Sequence, residues 1–259
     1  MSTVSKTYGI NIKKGDVGIE IEVEGENLPH ETGSMYWKAE ADGSLRNGVE
    51  YVLRSPVLLS SVEPALKELA VCFREEAARL DFSHRTSVHI HVNVLPMELY
   101  DLKKFVFCAY LLDTVFSKIG KREIKGNRFA LRIQDAGGIF FTLRDFFFYG
   151  VVPDINAAKY SIINICPLAN YGSVEFRSMR GNFDIENITN WCRLLVSLRD
   201  NAAKFASLAE AYNLAESSPD VFVKTLIPED LLEYFKYEGI FEDVHSNLSL
   251  LAGLHTLRG

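Results

Sequence analysis

The chain has 259 residues, 47% hydrophobic and 24% charged, an ordinary globular composition with enough Phe, Tyr, Leu and Ile for a substantial core. Its formal net charge of −6 offers no basic footprint for a phosphate backbone, which argues against nucleic acid as a partner. No apolar run approaches the ~20 residues of a membrane span, and the opening MSTVSKTYGINIKK lacks the apolar stretch of a secretory signal, so a cytoplasmic protein without a membrane partner is expected.

No repeat, low-complexity segment or linker divides the sequence, which reads as one domain over 1–259. Its first strong signal is an alternation of period two. Val17, Ile19, Ile21 and Val23 oppose Gly18, Glu20, Glu22 and Glu24, which predicts a strand with one apolar face. Further strands are predicted at 35–39, 48–53, 87–94, 129–133, 160–165 and 173–178. A helix is predicted from about 61 to 80, where Val62, Leu66, Leu69, Phe73, Ala77 and Leu80 form one stripe behind a Ser-Ser-Val-Glu start suited to an N-cap. A second helix follows Pro96 and ends near Gly120, a third covers about 185–212, and shorter ones at 228–237 and 241–254 belong to a helical C-terminal extension over 213–259. Cys72, Cys108, Cys166 and Cys192 sit far apart in apolar or amphipathic segments and read as buried free thiols. Strands without regular β-α alternation predict an α+β fold with a largely antiparallel sheet.

Four of these strand segments carry polar faces. Glu20, Glu22 and Glu24 share one side of their strand at a spacing of about 6 to 7 Å. Such crowded carboxylates repel unless a cation or water relieves them, so the segment is either a solvent-facing strand or a metal platform. In 87–93, His89, His91 and Asn93 share a face opposite Val88, Ile90 and Val92, a rarer pattern that points to a ligand or catalytic role for at least one histidine. Cupins and amidohydrolases also use His-x-His. The cupin spacing is not met, because Glu98 falls seven residues beyond His91, and the alternation of an amidohydrolase barrel is absent. Glu175 and Arg177 share a face opposite Val174 and Phe176, as an ion pair or as an acidic ligand beside an anion-binding cation. Asp42-Gly-Ser-Leu is a turn signal, followed by a strand in which Glu50 is flanked by apolar residues. Together these acids and imidazoles could meet on one side of one sheet, and an oxygen-rich donor set with one imidazole suits Mg²⁺ or Mn²⁺.

The order of these motifs resembles the glutamine synthetase/glutamate-cysteine ligase superfamily, most closely its phage and microbial amidoligase branch. The likeness runs from Gly18-Ile-Glu-Ile-Glu through Asp42-Gly-Ser, Glu50 with Ser55-Pro56, His89-Ile-His91, Lys159-Tyr160 with Asn164, and Glu175-Phe-Arg177, and covers roughly 17–192. The resemblance implies a glutamine synthetase-like catalytic domain, with a curved, largely antiparallel sheet, helices on its outer face, and Mg²⁺ (or Mn²⁺) with ATP on its concave face. It implies Glu20, Glu22, Glu50, His91 and Glu175 as metal ligands and catalytic parts for Arg177, Glu50 and His89. Lys159, Asn164, Arg177 and Arg128 would serve the nucleotide; the region 120–150 matches least well, with Arg122 and Lys125 as further residues to reach phosphates and 135–138 as either a loop over the site or a plain hairpin turn. Lys159 stands where the family often has arginine, which keeps the charge and changes its geometry.

The expected activity is ATP-dependent joining of a carboxylate to an amine, carried by small molecules or peptides, in the cytoplasm, or the host cytoplasm for a phage-encoded chain. The competing readings are a metal-dependent hydrolase that needs no nucleotide and a non-catalytic binding protein that retains the fold. Oligomeric state is left open by the sequence.

Overall fold

A computed structural model of the chain describes residues 2–121, 130–150, 159–236 and 240–254. The fold is mixed α+β around a single antiparallel sheet. Its strands are β1 (Val17–Glu26), β2 (Trp37–Glu40), β3 (Gly48–Leu53), β4 (Arg79–Asp81), β5 (Ser87–Asn93), β6 (Ile163–Asn164) and β7 (Ser173–Arg180). They lie in the order β2-β3-β1-β5-β7-β6, with β4 paired to the far end of β1. That last pairing depends on Gly25, whose φ of 147° is open to glycine and where a Cβ would stand 1.9 Å from the Arg79 carbonyl oxygen.

Period-two alternation sorts the sheet into two faces. Val17, Ile19, Ile21 and Val23 of β1, Trp37 of β2, Val49 and Tyr51 of β3, Ile90 of β5 and Phe176 of β7 are all buried. The helices in chain order are α1 (Val4–Tyr8), α2 (Leu59–Glu75), α3 (Leu99–Leu111), α4 (Asp113–Ile119), α5 (Gly137–Tyr149), α6 (Leu168–Tyr171), α7 (Ile185–Ala202), α8 (Leu208–Ser217), α9 (Pro219–Leu226), α10 (Glu229–Phe235) and α11 (Ile240–Leu251). Those next to the sheet cover its apolar face. Tyr51 meets Phe73 of α2 edge-on at 4.9 Å, Trp37 donates its indole N–H to the Ala65 carbonyl at 2.7 Å, and Phe176 packs on Phe105 of α3 and Phe116 of α4. Phe116 in turn meets Trp191 of α7, and α8, α9 and α11 form the layer behind. Lys104 of α3 is buried and donates to the Ala203 and Phe205 carbonyls, both at 2.7 Å, placing a cation at the negative end of α7.

Several predicted boundaries move, each for a tertiary reason. The first long helix begins at Leu59 and not near Ser61, because its N-terminal Leu59 N–H is accepted by the Asp16 carboxylate at 3.1 Å, a cap supplied from the lead into β1. It stops at Glu75, and Leu80 of the predicted stripe belongs to β4. The helix expected from Pro96 to Gly120 is two, parted at Leu112, where the buried Asp113 carboxylate takes the Ile133 N–H at 2.8 Å and the Asn247 amide at 2.6 Å. Likewise 185–212 divides into α7 and α8, each with its own side-chain cap, Asp184 and Ser207. The strand expected at 129–133 is replaced over its described part by a lone bridge at Leu131 and a 3₁₀ turn at Ile133–Asp135, and Gly137 opens α5 where a loop was expected. The strand expected at 160–165 shrinks to β6. Arg122, Lys125 and Arg128 lie outside the described residues. The cysteines are free, three of them buried and Cys72 half-buried, and among the described residues no helix is long and apolar enough to cross a membrane.

Candidate metal centre

Strand register brings the predicted acids and histidines together on the sheet's other face. Glu22 of β1 pairs with Glu50 of β3, Glu20 of β1 with His89 of β5, and His91 of β5 with Glu175 of β7, which in turn pairs with Asn164 of β6. Side chains directly opposite in an antiparallel pair stand close enough to touch, so three rungs of the ladder become one polar cluster. Between Val88 and Ile90 the β5–β7 register shifts, because β7 carries one extra residue there. Arg177 and Ser178 thus stand together opposite His89, a bulge that re-aims Arg177 toward Glu175.

The distances are those of a compact site. His89 Nδ1 lies 3.2 Å from Glu20 Oε2 and 3.5 Å from Glu175 Oε1. His91 Nε2 lies 3.2 Å from Glu20 Oε1 and 4.0 Å from Glu175 Oε1. Arg177 Nη1 donates to Glu175 Oε1 at 2.5 Å and Asn164 Nδ2 to Glu175 Oε2 at 2.7 Å. Among the described residues, two overlapping groups have ligand atoms all within 4.8 Å of one another: Glu20, His89 and Glu175, and Glu22, Glu50 and His89. Both need His89. The sequence reading had favoured His91 as the ligand, and here it flanks the first group, with its Nδ1 on Ser173 Oγ at 3.1 Å.

Charge in this cluster is unbalanced. Among the described residues, Glu20, Glu22, Glu50 and Glu175 face one permanent cation, Arg177. Burial opposes ionisation of Glu20, but contacts and charges from His89 and His91 overcome it and hold the carboxyl below its usual range. Burial opposes ionisation of Glu175 as well, and there Arg177, His91 and His89 win. Glu50 has no such relief. Burial, reinforced by Glu20, Glu22, Asp42 and Glu40, pushes it up to about 8. For His91, burial disfavours the cation while Glu20 and Glu175 favour it, and the carboxylates prevail, so its pKa is raised.

A divalent cation fits this donor set. It would relieve the repulsion that keeps Glu50 protonated, and it would sit beside His91 Nε2, which is buried 3.2 Å from Glu20 Oε1 in a geometry that completes no hydrogen bond. Carboxylate oxygens with imidazole suit Mg²⁺ or Mn²⁺.

Other predicted residues are placed differently. Glu24 is on the same strand face, but its Oε1 accepts the Arg46 N–H at 2.6 Å, closing the loop in which Asp42 Oδ1 accepts from Ser44 N–H. Asn93 clamps the Lys13 and Gly15 carbonyls. Asn164 is engaged at both ends, since its Oδ1 accepts the Cys166 N–H at 2.9 Å, and it orients Glu175. Lys159 is exposed, with its ammonium over the Tyr160 ring. The sequence reading missed Ser87, fully buried with Oγ 2.5 Å from Glu22 and 2.6 Å from His89. Its signal was present, because Ser87 precedes His89 by two residues and so shares its face.

Compared with known protein families and with curated proteins, the chain matches none.

Proposed function

We propose that this chain is a divalent-metal-dependent enzyme whose polar sheet face joins a carboxylate to an amine at the expense of ATP. The observation that carries the metal part is the convergence of Glu20, His89 and Glu175 from three adjacent strands, with ligand atoms within 4.8 Å of one another. The ligase part is supported by the order of the motifs, Gly18-Ile-Glu-Ile-Glu to Glu175-Phe-Arg177, which resembles that of glutamine synthetase-like amidoligases. In that reading the polar face is the catalytic side of a glutamine synthetase-like sheet, flatter here than the curved sheet the resemblance implies, and α2, α3, α4 and α7 back it.

The chemistry needs activation because a free carboxylate is a poor acyl donor. The substrate carboxylate oxygen attacks the γ-phosphorus of ATP, the bond to the β-phosphate oxygen breaks, and ADP leaves. The amine nitrogen then attacks the acyl carbon, phosphate departs, and the amine gives up a proton. Positioning and charge neutralisation are the protein's share in such a transfer. Glu20, Glu175 and His89, with Glu22 and Glu50 adjacent, would hold a divalent ion, which would supply positive charge to offset that of the phosphates. Arg177 is held by Glu175 at the edge of that group, where a guanidinium stabilises charge on the moving phosphoryl. Glu50, pushed up to about 8 without a cation, would ionise as the cation binds beside it.

The test is thermal melting with Mg²⁺ alone, ATP alone and both, beside the Glu175→Gln variant. Ligand at about 100 times its dissociation constant stabilises by about 2.7 kcal/mol, worth roughly 2 to 4 °C per kcal/mol at this size. A rise that requires both ligands and vanishes in Glu175→Gln supports the ligase. A response to metal with none to millimolar ATP returns the site to a nucleotide-free hydrolase.

A further inference from the structure

Ser87 heads β5 with no exposed surface, and the chemistry above gives it no part. Its Oγ donates to Glu22 Oε2 at 2.5 Å and lies 2.6 Å from His89 Nε2. A hydroxyl has one proton to give. With that proton on Glu22, the second contact closes only when His89 Nε2 carries a hydrogen and donates it to Oγ. The other ring nitrogen, Nδ1, then faces Glu20 Oε2 at 3.2 Å and Glu175 Oε1 at 3.5 Å. In the cationic ring Nδ1–H donates to Glu20 Oε2, while in the neutral ring Nδ1 presents a lone pair to two carboxylate oxygens. That arrangement is repulsive on its own and attractive around a cation.

We propose that Ser87 is a positioning residue: by donating to Glu22 and accepting from His89 Nε2–H, it fixes the tautomer that offers Nδ1, together with Glu20 and Glu175, to a divalent cation. The inference rests on the metal-centre reading above and sharpens it. Of the two overlapping groups, it assigns His89 to Glu20 and Glu175, since Nε2 is committed to Ser87 and is closed to the Glu22–Glu50 side. Outer partners of this kind orient a ligand and raise its basicity.

The experiment uses the full chain in two measurements. Imidazole nitrogen NMR on isotope-labelled protein, with His89 assigned through His89→Gln, reads which nitrogen is protonated, without metal and with Mg²⁺. Electron paramagnetic resonance reads Mn²⁺ affinity for wild type, Ser87→Ala and Ser87→Thr, with circular dichroism to verify folding. The expected result is a proton on His89 Nε2 in both spectra, a bare Nδ1 with Mg²⁺, and Mn²⁺ binding about 10- to 100-fold weaker in Ser87→Ala, largely restored in Ser87→Thr. A wild-type His89 protonated on Nδ1 alone overturns the proposal and needs no variant to fold. So does folded Ser87→Ala that binds Mn²⁺ as tightly as wild type. Wild-type protein that binds no Mn²⁺ removes the metal reading and the ligand role with it, while the metal-free spectrum still decides the Ser87–His89 hydrogen bond.

Discussion

Asp113 and Glu175 are both buried carboxylates, in surroundings that differ in kind. Asp113, at the start of α4, accepts from the Ile133 N–H, the Asn247 amide and the Thr114 hydroxyl, neutral donors that tie α4 to the 3₁₀ turn and to α11. Burial raises it to about 6 despite those bonds. Glu175 instead stands among Glu20, His89, His91 and Arg177, in a cluster where acids outnumber permanent cations. Neutral donors on three elements make Asp113 a fastener. Crowded charge makes Glu175 part of a site that gains by taking up a cation.

The comparison is broken most directly by exchanging the readouts. Glu175→Gln removes a proposed ligand, and Mn²⁺ affinity is expected to fall at least about 100-fold, beyond the loss typical of an outer partner. The same binding measurement on Asp113→Ala should show no change. Its effect belongs to stability, where three buried donors lose an acceptor at a cost of about 3 kcal/mol. Melting should fall by about 6 to 12 °C in that variant. Metal weakening in Asp113→Ala, or a melting loss of that size in metal-free Glu175→Gln, would erase the distinction.

A smaller effect separates the two regions by pH. Asp113 has a folded value of about 6 against an ordinary 3.8, so the stability it favours is present below 3.8 and is lost as pH climbs to about 6. Glu50, at about 8 against 4.5, acts in the same direction over a window that extends to about 8, and His91, raised above its ordinary 6.5, has the same sign. Metal-free protein should therefore soften between pH 6 and 8, and a saturating divalent ion should reverse the trend. Glu50→Gln should flatten that part of the curve and stabilise metal-free protein at pH 8 by about 1 kcal/mol, a figure reduced for solvent screening at a half-buried group. A denaturation series in which wild type and Glu50→Gln run parallel across this window would remove Glu50 from the cluster's charge balance.

Much of the sheet was legible in the sequence because each strand face is written locally. Val17 to Glu24 alternates cleanly, and Ser87 to Asn93 and Ser173 to Ser178 repeat the pattern, so the apolar and polar sides could be assigned before any pairing was known. The helix from 61 to 80 had a readable stripe but not a readable start, since its cap is Asp16, more than forty residues earlier. The run from Phe105 to Phe116 is apolar on both sides of Leu112, and nothing local marks the break that Asp113 makes by reaching Asn247 and Ile133. Ser87 was on the right face, yet a serine beside histidines is too common to signify until Glu22 is seen against it.

By itself, then, the order of residues determined which groups face away from the core, because side-chain direction along a strand follows from backbone period alone. The tertiary structure decided which of those groups meet. Glu20 opposite His89, Glu22 opposite Glu50 and His91 opposite Glu175 are consequences of register between strands far apart in the chain, and Arg177 is turned by one extra residue in β7. A slip of one position would send every one of these side chains to the other face without altering any local pattern, because register is held by the packing of the apolar face against α2, α3, α4 and α7.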